Sequence, residues 1–354
     1  MQKKDVYVIG MMSGTSLDGV DLVYVKFTKQ NYNAFEIVYS KTIEYEEVWR
    51  EKLKEAIHYT KEQLVEINKE YAFLLAELIH VFINEFDIKA IDFIASHGHT
   101  ILHQPDKGIT LQIGDGQIIA NEVRQKVVCD FRTQDVSLGG QGAPLVPIGD
   151  ELLFSEYDYC LNLGGFANIS YKQNNKRIAF DVCPVNIVLN VYAQKLGFDY
   201  DDKGSLAKSG AYLLALGEAL NSLDFYKQLP PKSLGLEWVQ KEIFPIIDSS
   251  KRNPIDVLRT FTEHIAWAIA KVLPKQARVL VTGGGAFNTY LLKRIKYYKD
   301  VTLIVPEEDI INFKEALIFA FLGFLKLDNQ VNCLGSVTGA VKDHSSGVIF
   351  YPNN

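Results

Sequence analysis

The sequence predicts an α/β protein built from two related domains. Two stretches, residues 6–27 and 159–173, each consist of an apolar run, a Gly-rich polar turn and a second apolar run. Their positions near the start of each half indicate two copies of one strand-turn-strand unit. Elsewhere, apolar residues at helical spacing alternate with short apolar runs, which is typical of helices that cover a sheet.

The bulk composition fits a globular chain and excludes several classes of partner. A length of 354 residues corresponds to two domains at about 150 residues each. The net charge of −6 argues against a nucleic-acid surface. The chain has no apolar stretch of about 18 residues that could cross a membrane, and its start has no secretory signal, so we expect a cytoplasmic protein.

Cysteine and histidine spacing gives no clear metal or redox motif. The four cysteines lack the paired spacing of a zinc or redox site, so we expect free and mostly buried thiols at Cys129, Cys160 and Cys333. Cys183 is the exception, and we expect a thiol reagent to reach it slowly. Three imidazoles lie close together at His97, His99 and His103. Their spacing suits no single regular element, so a zinc site there is the less favoured interpretation.

The order of predicted elements gives the domain organisation. After the opening hairpin, two helices are expected within residues 44–86 and a strand within IDFIASHGHTI. Residues 130–150 are rich in Gly and Pro, and we expect the chain to cross between domains there. This gives domains 1–130 and 131–354, with the extreme C-terminus packing back on the first and an active-site cleft between them. Helices are expected at about 186–196, 205–222, 234–242 and 254–273.

The opening turn, GMMSGTSLDG, is longer than a plain hairpin needs. It lacks the Gly-Lys-Ser/Thr of a nucleotide-binding loop, so a phosphate there would be held by backbone N–H groups and hydroxyls. The hydroxyl candidates are Ser13, Thr15 and Ser16, while Asp18 or Asp21 could hold a metal ion through water. The alternative is a long surface hairpin with no ligand.

A third Gly-rich turn, GGGAFN, follows a buried strand late in the second half. It lacks the third glycine of the dinucleotide fingerprint, so it either admits a flat or anionic ligand or serves packing alone. The order of the three turns resembles that of the sugar kinase, actin and heat-shock chaperone ATPase superfamily, which implies that the first two turns hold phosphates and the third lies against adenosine.

At finer grain the chain resembles the anhydro-N-acetylmuramic acid kinase family over nearly its whole length. Nine blocks carry the resemblance: IGMMSGTSLDGVD (9–21), SHGHTILHQP (96–105), TLQIGD (110–115), DFRTQDVSLGGQGAPLVP (130–147), LNLGGFANIS (161–170), PKSLGLEW (231–238), VTGGGAFN (281–288), KEALIFAFLG (314–323) and SVTGA (336–340).

The resemblance implies an ATP-dependent reaction with Mg²⁺, in which water opens a 1,6-anhydro sugar and the γ-phosphate is transferred to the freed 6-oxygen. It implies actin-like, sugar-kinase-like domains, a small-molecule anhydrosugar substrate and a homodimer. One carboxylate base suffices for such a reaction, since the γ-phosphate captures the departing oxygen.

The resemblance also implies roles for particular residues. Those implied for the phosphate and adenosine turns are Gly14, Thr15, Ser16, Asp18, Gly19, Asp21, Gly164, Gly165, Asn168, Gly283, Gly284 and Gly285. Asp181 would be the catalytic base, and His97, Arg132 and Glu315 would line the sugar pocket. Asp18 would hold Mg²⁺ through water.

Two departures from the commoner family pattern bear on function. Where that pattern has Thr-Gly-Pro-Gly-Asn after the base, this chain has Val-Cys-Pro-Val-Asn at 182–186, and Phe287 stands where the family tends to have His. Valine rarely adopts positive φ, so we expect a rebuilt rim with catalysis retained.

Several alternatives stay open on sequence alone. Asp181 could be a carboxylate that only stabilises a helix N-terminus, and Glu315 an ordinary first-turn Glu. The protein could phosphorylate another anhydrosugar such as levoglucosan, or be a catalytically silent, nucleotide-dependent sugar-binding protein.

Overall fold

The computed structural model describes residues 5–14, 17–29, 31–249 and 252–353. The chain divides into two compact units. Unit 1 comprises Met1–Ser155 and Phe313–Asn354, and unit 2 comprises Glu156–Asn312. Unit 2 is therefore an insertion within the chain of unit 1.

The strands are β1 (Asp5–Ser13), β2 (Gly19–Thr28), β3 (Asn31–Glu44), β4 (Phe93–Ser96), β5 (His99–Gln104), β6 (Ile109–Ile113), β7 (Val127–Cys129), β8 (Tyr159–Leu163), β9 (Phe166–Gln173), β10 (Lys176–Pro184), β11 (Arg278–Thr282), β12 (Thr302–Ile304) and β13 (Val348–Phe350).

The α-helices are α1 (Glu47–Glu55), α2 (Lys61–Glu85), α3 (Gly116–Val123), α4 (Thr133–Ser137), α5 (Pro147–Leu152), α6 (Asn186–Gln194), α7 (Ser205–Ser209), α8 (Leu214–Asn221), α9 (Leu236–Trp238), α10 (Phe244–Asp248), α11 (Pro254–Val272), α12 (Thr289–Tyr298), α13 (Glu308–Leu327) and α14 (Gly335–Thr338). Short 3₁₀ turns include Gly284–Phe287, and a π-helical turn, Val239–Ile243, joins α9 to α10.

The main sheet of unit 1 has the strand order β13-β7-β4-β1-β2-β3. Strands β1, β2 and β3 form an antiparallel meander, while β4 runs parallel to β1 and β7 parallel to β4. At the far edge β13 pairs antiparallel with β7. Parallel neighbours require crossover connections, and α2 and α3 provide them here.

The sheet of unit 2 repeats this plan in the order β10-β9-β8-β11-β12. Strands β8, β9 and β10 form an antiparallel meander, β11 runs parallel to β8, and β12 runs parallel to β11. The order and directions of these five strands match those of β3-β2-β1-β4-β7 in unit 1. This match confirms the predicted α/β class and the predicted repeat.

Helix α2 shows how the sequence forms an element that covers the sheet. Thr60 accepts a hydrogen bond from the Gln63 N–H, and the Gln63 side chain accepts one from the Thr60 N–H, so the first turn is capped in both directions. The buried face carries Ile67, Tyr71, Leu75, Ile79 and Phe82 at intervals of three and four residues.

The predicted domain boundary at residue 130 is wrong, since unit 1 continues to Ser155. Residues 130–150, expected as the crossing between domains, lie in unit 1 and include α4 and part of α5. Their backbone is held by buried Asp135, which accepts hydrogen bonds from the N–H of Gly142 and the hydroxyl of Thr338. A Gly- and Pro-rich composition therefore marks a tightly held loop here.

The helix expected over residues 205–222 is interrupted. It forms α7 and α8 because Gly210 brings the backbone against α11, where an added Cβ would lie 2.4 Å from the Ile255 carbonyl oxygen. None of the described helices is long and apolar enough to cross a membrane.

Candidate active site

The turn between β1 and β2 in unit 1 is the first predicted phosphate turn. Thr15 and Ser16 lie outside the described residues. Gly14 is half-buried and Asp18 is exposed, while Leu17 between them has a positive φ of 60°. The Ser13 hydroxyl points into the unit, where it lies 2.7 Å from the Tyr45 hydroxyl and 2.9 Å from His99 Nδ1. Ser13 thus anchors the base of the turn and is not placed to hold an anion.

Gly19 and Asp21 begin β2. A Cβ at Gly19 would lie 2.3 Å from the Ile43 carbonyl oxygen, so this glycine is required by the pairing of β2 with β3. The Thr42 hydroxyl donates to Asp21 Oδ1 at 2.6 Å. Burial raises the pKa of the Asp21 carboxyl, the Thr42 hydrogen bond opposes this, and Asp18 adds a smaller increase.

His97 and Arg132 form a buried pair in unit 1. His97 Nδ1–H donates to the Gly98 carbonyl at 2.8 Å, so Nε2 is free to accept from Arg132 Nε at 3.1 Å and Nη2 at 2.9 Å. Burial, and then the guanidinium charge, hold the pKa of His97 well below its usual range. A neutral His97 therefore orients Arg132 and is itself largely withdrawn from solvent.

Glu315 lies in α13, four residues before Phe319, whose ring packs on His97 with 4.5 Å between centroids. Residues four positions apart lie on the same face of a helix, so Glu315 shares with Phe319 the face of α13 that is turned toward His97 and Arg132. The Glu315 side chain is exposed, yet the protein atoms around it raise its pKa by desolvation. Arg132 opposes that rise and Asp21 adds to it. Unit 1 thus gathers Asp21, His97, Arg132 and Glu315 into one electrostatic group.

The three histidines with zinc-like spacing face different partners. His99 bonds Ser13, and burial lowers its pKa to about 4, while exposed His103 lies 3.3 Å from the Thr110 hydroxyl. Within the described part of the chain they do not form a metal-binding group.

The second and third predicted turns meet in unit 2. They follow β8 and β11, which are parallel neighbours with Asn162 opposite Thr282, so both turns leave the same edge of the sheet. Asn186 at the start of α6 lies between them. Its N–H donates to the Gly164 carbonyl at 3.3 Å, and its side-chain amide is 3.9 Å from where a Cβ would stand on Gly284.

The glycines of these turns differ in what requires them. A Cβ on Gly283 or Gly285 would lie 2.6 Å from Asn162 or Leu163, and Gly283 also has a φ of 77°. Gly165 and Gly284 are exposed, and their nearest neighbours would be at 3.8 and 3.9 Å. The fold therefore explains Gly283 and Gly285, whereas Gly165 and Gly284 leave open space in which a ligand can lie against the backbone.

Asp181 lies on β10 directly opposite Asn168 of β9. The Asn168 amide donates to Asp181 Oδ1, and the Leu234 N–H donates to Oδ2 at 2.7 Å. Burial raises the pKa of Asp181, and these two hydrogen bonds oppose the rise. The carboxylate is thus held in one orientation while it remains half-exposed.

The family model for anhydro-N-acetylmuramic acid kinase matches residues 6–352. The chain belongs to the anhydro-N-acetylmuramic acid kinase family. It is accordingly a phosphotransferase, as the resemblance implied.

Relatives of the same name cover nearly the whole chain. The anhydro-N-acetylmuramic acid kinase of Mannheimia succiniciproducens is 35% identical over 97% of this chain and 98% of its own. That of Francisella tularensis subsp. novicida is 34% identical over 94% and 96%. That of Haemophilus influenzae is 34% identical over 98% of each.

The departure at 182–185 from the commoner anhydro-N-acetylmuramic acid kinase pattern lies in the core of unit 2. Val182, Cys183 and Val185 are 2%, 0% and 0% exposed, so they do not form the rim we expected. A β-bulge between Asp181 and Cys183 turns two consecutive side chains inward, since the bulge breaks the alternation of the strand. Phe287 is exposed beside the third turn.

Sequence motifs could not have identified some of the residues that contact this candidate site. Lys232 accepts from the Asp181 N–H at 3.1 Å through its carbonyl, and Leu234 donates through its N–H. Both are main-chain contacts, so the side chains at these positions carry no signal. The resemblance block at 231–238 is the feature that could have pointed to them.

Proposed function

We propose that this protein opens 1,6-anhydro-N-acetylmuramic acid with water and phosphorylates the freed 6-oxygen from ATP, giving N-acetylmuramic acid 6-phosphate in cell-wall sugar recycling. Family membership supports the reaction. The observation that carries it is the oriented Asp181 carboxylate, in the same unit as two open glycine turns.

In the proposed reaction Asp181 is the general base. It takes a proton from water as the water oxygen bonds to the anomeric carbon and the bond from that carbon to the 6-oxygen breaks. The electron pair released on the 6-oxygen forms the new bond to the γ-phosphorus, and ADP leaves. The hydrogen bonds from Asn168 and Leu234 hold the carboxylate ionised and correctly oriented, since both stabilise its charged form.

We propose that the turns at Gly164–Gly165 and Gly283–Gly285 of unit 2 bind the nucleotide. For the first turn of unit 1 we propose the phosphate-binding role that the resemblance implies, with Gly14, Thr15, Ser16, Gly19 and Asp21. The open space beside Gly165 and Gly284 supports this assignment. In this proposal Asn168 acts on Asp181 more directly than on phosphate.

Arg132 and Glu315 are proposed to bind the sugar, with His97 positioning Arg132. Three of the five guanidinium N–H groups donate to His97 and to the Gly142 carbonyl, and the other two have no partner among the described contacts. A guanidinium with free donors suits the carboxylate of a muramic acid, and this favours that sugar over an uncharged one such as levoglucosan.

The acidic residues of the first turn fit Mg²⁺, which prefers carboxylate oxygens and water. Exposed Asp18 would hold it through water, with Asp21 nearby. Burial is the main cause of the raised pKa of Asp21, and a cation would relieve the smaller increase that comes from the Asp18 charge. When bound, the ion neutralises charge on the phosphates.

A homodimer and a cytoplasmic location are part of the same proposal. Both rest on the family resemblance and on the sequence. Light scattering on the purified chain tests the first, and fractionation of cells tests the second.

The direct test is an incubation of the protein with Mg²⁺, ATP and the anhydro sugar in ¹⁸O-water, followed by mass spectrometry. The expected product has gained one water and one phosphoryl group. At early times the ¹⁸O lies at the anomeric oxygen, and the phosphoryl group carries none. Levoglucosan and the anhydro sugar without its lactyl group serve as comparison substrates.

Label in inorganic phosphate with no sugar product would show plain ATP hydrolysis and contradict the proposal. Equal rates on all three sugars would remove the role proposed for Arg132.

A further inference from the structure

A second group of polar side chains lies in unit 1, apart from the residues that carry the proposed reaction. Asp135, Cys333 and His344 place a carboxylate oxygen, a sulfur and a ring nitrogen within 4.8 Å of one another. They are 0%, 1% and 6% exposed. These are three different donor types in a closed site.

The backbone brings the three donors together. Cys333 and His344 exchange two main-chain hydrogen bonds of 3.1 Å as an isolated antiparallel bridge, and directly opposite residues in such a pair project to the same side. Asp135 comes from α4, more than a hundred residues earlier in the chain.

The ring of His344 gives the independent indication of a ligand. Its Nδ1–H donates to the Lys342 carbonyl at 3.2 Å, so the lone pair is on Nε2. Nε2 is buried, has no hydrogen-bond partner, and faces Asp135 Oδ1 at 3.6 Å. Oδ1 already accepts from the Cys333 thiol at 3.1 Å and from the Thr338 hydroxyl at 2.7 Å, so Nε2 is the buried acceptor left without a partner among the described residues, and a cation bound there would supply one.

We propose that Asp135, Cys333 and His344 bind one divalent transition-metal cation of the Zn²⁺ class. Zinc bonds of about 2.3 Å to sulfur and about 2.0 Å to nitrogen or oxygen, at the tetrahedral angle, separate the donor atoms by roughly 3.3–3.5 Å. The observed separations from Asp135 Oδ1 are 3.1 Å to Cys333 Sγ and 3.6 Å to His344 Nε2.

The surroundings of the donors match those of metal ligands. A histidine ligand usually donates its other N–H to a carbonyl, and ligating carboxylates are hydrogen-bonded in turn. Here the Gly142 N–H donates to Asp135 Oδ2 and the Thr338 hydroxyl to Oδ1, both at 2.7 Å. Binding would release the Cys333 thiol proton to solvent, and a water molecule would supply a fourth ligand.

The donor set also selects the ion. Thiolate and imidazole favour zinc, cobalt and similar ions, and a hard cation such as Mg²⁺ competes poorly for them. The site joins α4, whose N-cap is Arg132, to the segments around Cys333 and His344. A bound ion would therefore link these segments to α4.

The experiment uses the full chain, from which a chelator has first removed bound metal. The protein is then titrated with Zn²⁺ or Co²⁺, once without Mg²⁺ and once with excess Mg²⁺ as a competitor. We expect about one ion per chain, a rise in the unfolding temperature on binding, and a thiolate-to-cobalt charge-transfer band. Cys333→Ser should abolish that band, and His344→Gln should weaken binding at least about tenfold.

Two further variants complete the design. Cys129→Ser changes another buried thiol of unit 1 outside the group and should retain binding. His344→Cys keeps a metal donor but cannot form a charged pair with Asp135, so it should still bind the ion.

The proposal is overturned if no stoichiometric ion binds, if the cobalt band survives in Cys333→Ser, or if Cys129→Ser loses binding equally. Failure of His344→Cys to bind, when it folds normally, would show instead a protonated histidine paired with Asp135.

Discussion

The orientation of one carboxylate decides the chemistry proposed here. Each oxygen of Asp181 accepts one hydrogen bond, from the Asn168 amide and from the Leu234 N–H. A carboxylate that only capped a helix would accept from N–H groups in the first turn of that helix. In α6 the N–H groups of Asn186 and Ile187 donate instead to the carbonyls of Gly164 and Gly165.

Asp181→Asn should therefore abolish turnover with little effect on ATP binding. The amide keeps the shape but cannot accept the proton, and loss of a general base typically lowers the rate about 10²–10⁴-fold. Steady-state kinetics and nucleotide titration measure the two effects. A variant that kept half of the parental rate would show that Asp181 is not the base.

Asn168→Ala should move the acid limb of the activity profile to higher pH. The Asn168 hydrogen bond stabilises the ionised form of Asp181, so its loss raises a pKa that burial has already raised. Activity that needs the ionised carboxylate is then lost at a higher pH as the solution is acidified.

The measurement is kcat/KM against pH for the parent and for Asn168→Ala. Asn84→Ala, at an exposed position of α2, is the matched control and should leave the profile unchanged. An unshifted acid limb in Asn168→Ala would place this side chain on the phosphate instead.

The resemblance implied roles for Asp181 and the turn glycines, but it could not show which atoms contact them. The contacts of Asp181 with Lys232 and Leu234 are made by main-chain atoms more than fifty positions away. His97 was expected to bind sugar directly, and its orientation of Arg132 depends on a ring nitrogen assignment that only the fold provides.

At the scale of elements, alanine substitution of the two neighbouring glycines of the third turn should affect different properties, stability at Gly285 and ATP binding at Gly284. Gly285→Ala should destabilise the fold by about 1–3 kcal/mol, because its Cβ would overlap Leu163. Gly284→Ala should fold with stability within about 0.5 kcal/mol of the parent and raise the KM for ATP.

Denaturant unfolding and ATP saturation curves for both variants make the comparison. If Gly284→Ala left the KM for ATP unchanged, the open space beside this turn would not be where the nucleotide lies.

The bulge in β10 changes the expectation for Cys183. Its side chain is fully buried in the core of unit 2, and burial raises the pKa of the thiol far above its usual range. We expect no labelling by a thiol reagent in the native protein, with or without ATP and sugar, and labelling only after unfolding. Peptide mass spectrometry checks this, and ligand-dependent labelling of Cys183 would contradict it.

The sequence repeat predicted the element plan well because each apolar run and turn is local. The bulge was not predictable, since valine and cysteine fit an exposed rim or a core equally well by composition. Only the pairing of Asp181 with Asn168 and of Cys183 with Ala167 reveals the extra residue.

For the whole molecule, buried neutral imidazoles make stability sensitive to acid. Burial lowers the pKa of His99 to about 4 and of His264 to about 3, and that of His97 lies well below its usual range. In the unfolded chain these imidazoles become protonated at about pH 6.5, whereas in the folded chain they stay neutral to a lower pH. The free energy of unfolding therefore falls as the pH drops from about 6.5 toward 4. Each imidazole contributes up to about 1.4 kcal/mol per pH unit in that window.

Urea midpoints at pH 7 and pH 5 test this expectation. His99→Asn should show a smaller loss between the two pH values than the parent, whereas His58→Asn, at an exposed position, should match the parent. If the urea midpoint fell equally between pH 7 and pH 5 in the parent and in both variants, the buried imidazole of His99 would not be a cause of the acid sensitivity.

The domain boundary was the part of the whole-molecule plan that sequence reasoning placed wrongly. The segment 130–150 looks like a linker because it is rich in Gly and Pro, yet a hydrogen bond joins its Asp135 to Thr338, about two hundred residues away. Long-range hydrogen bonds of this kind leave no local pattern.

The discontinuity of unit 1 has a consequence for how the chain is made. A ribosome releases all of Glu156–Asn312 before it releases β13 and the part of α13 that begins at Phe313, which complete unit 1. Gly10 of β1 lies directly under α13, where a Cβ would be 2.4 Å from the Ala316 carbonyl oxygen, so the first strand synthesised waits for a nearly last helix to cover it. During translation the side of β1 that α13 covers is therefore exposed for most of the elongation time, and a nascent-chain chaperone would find its target there.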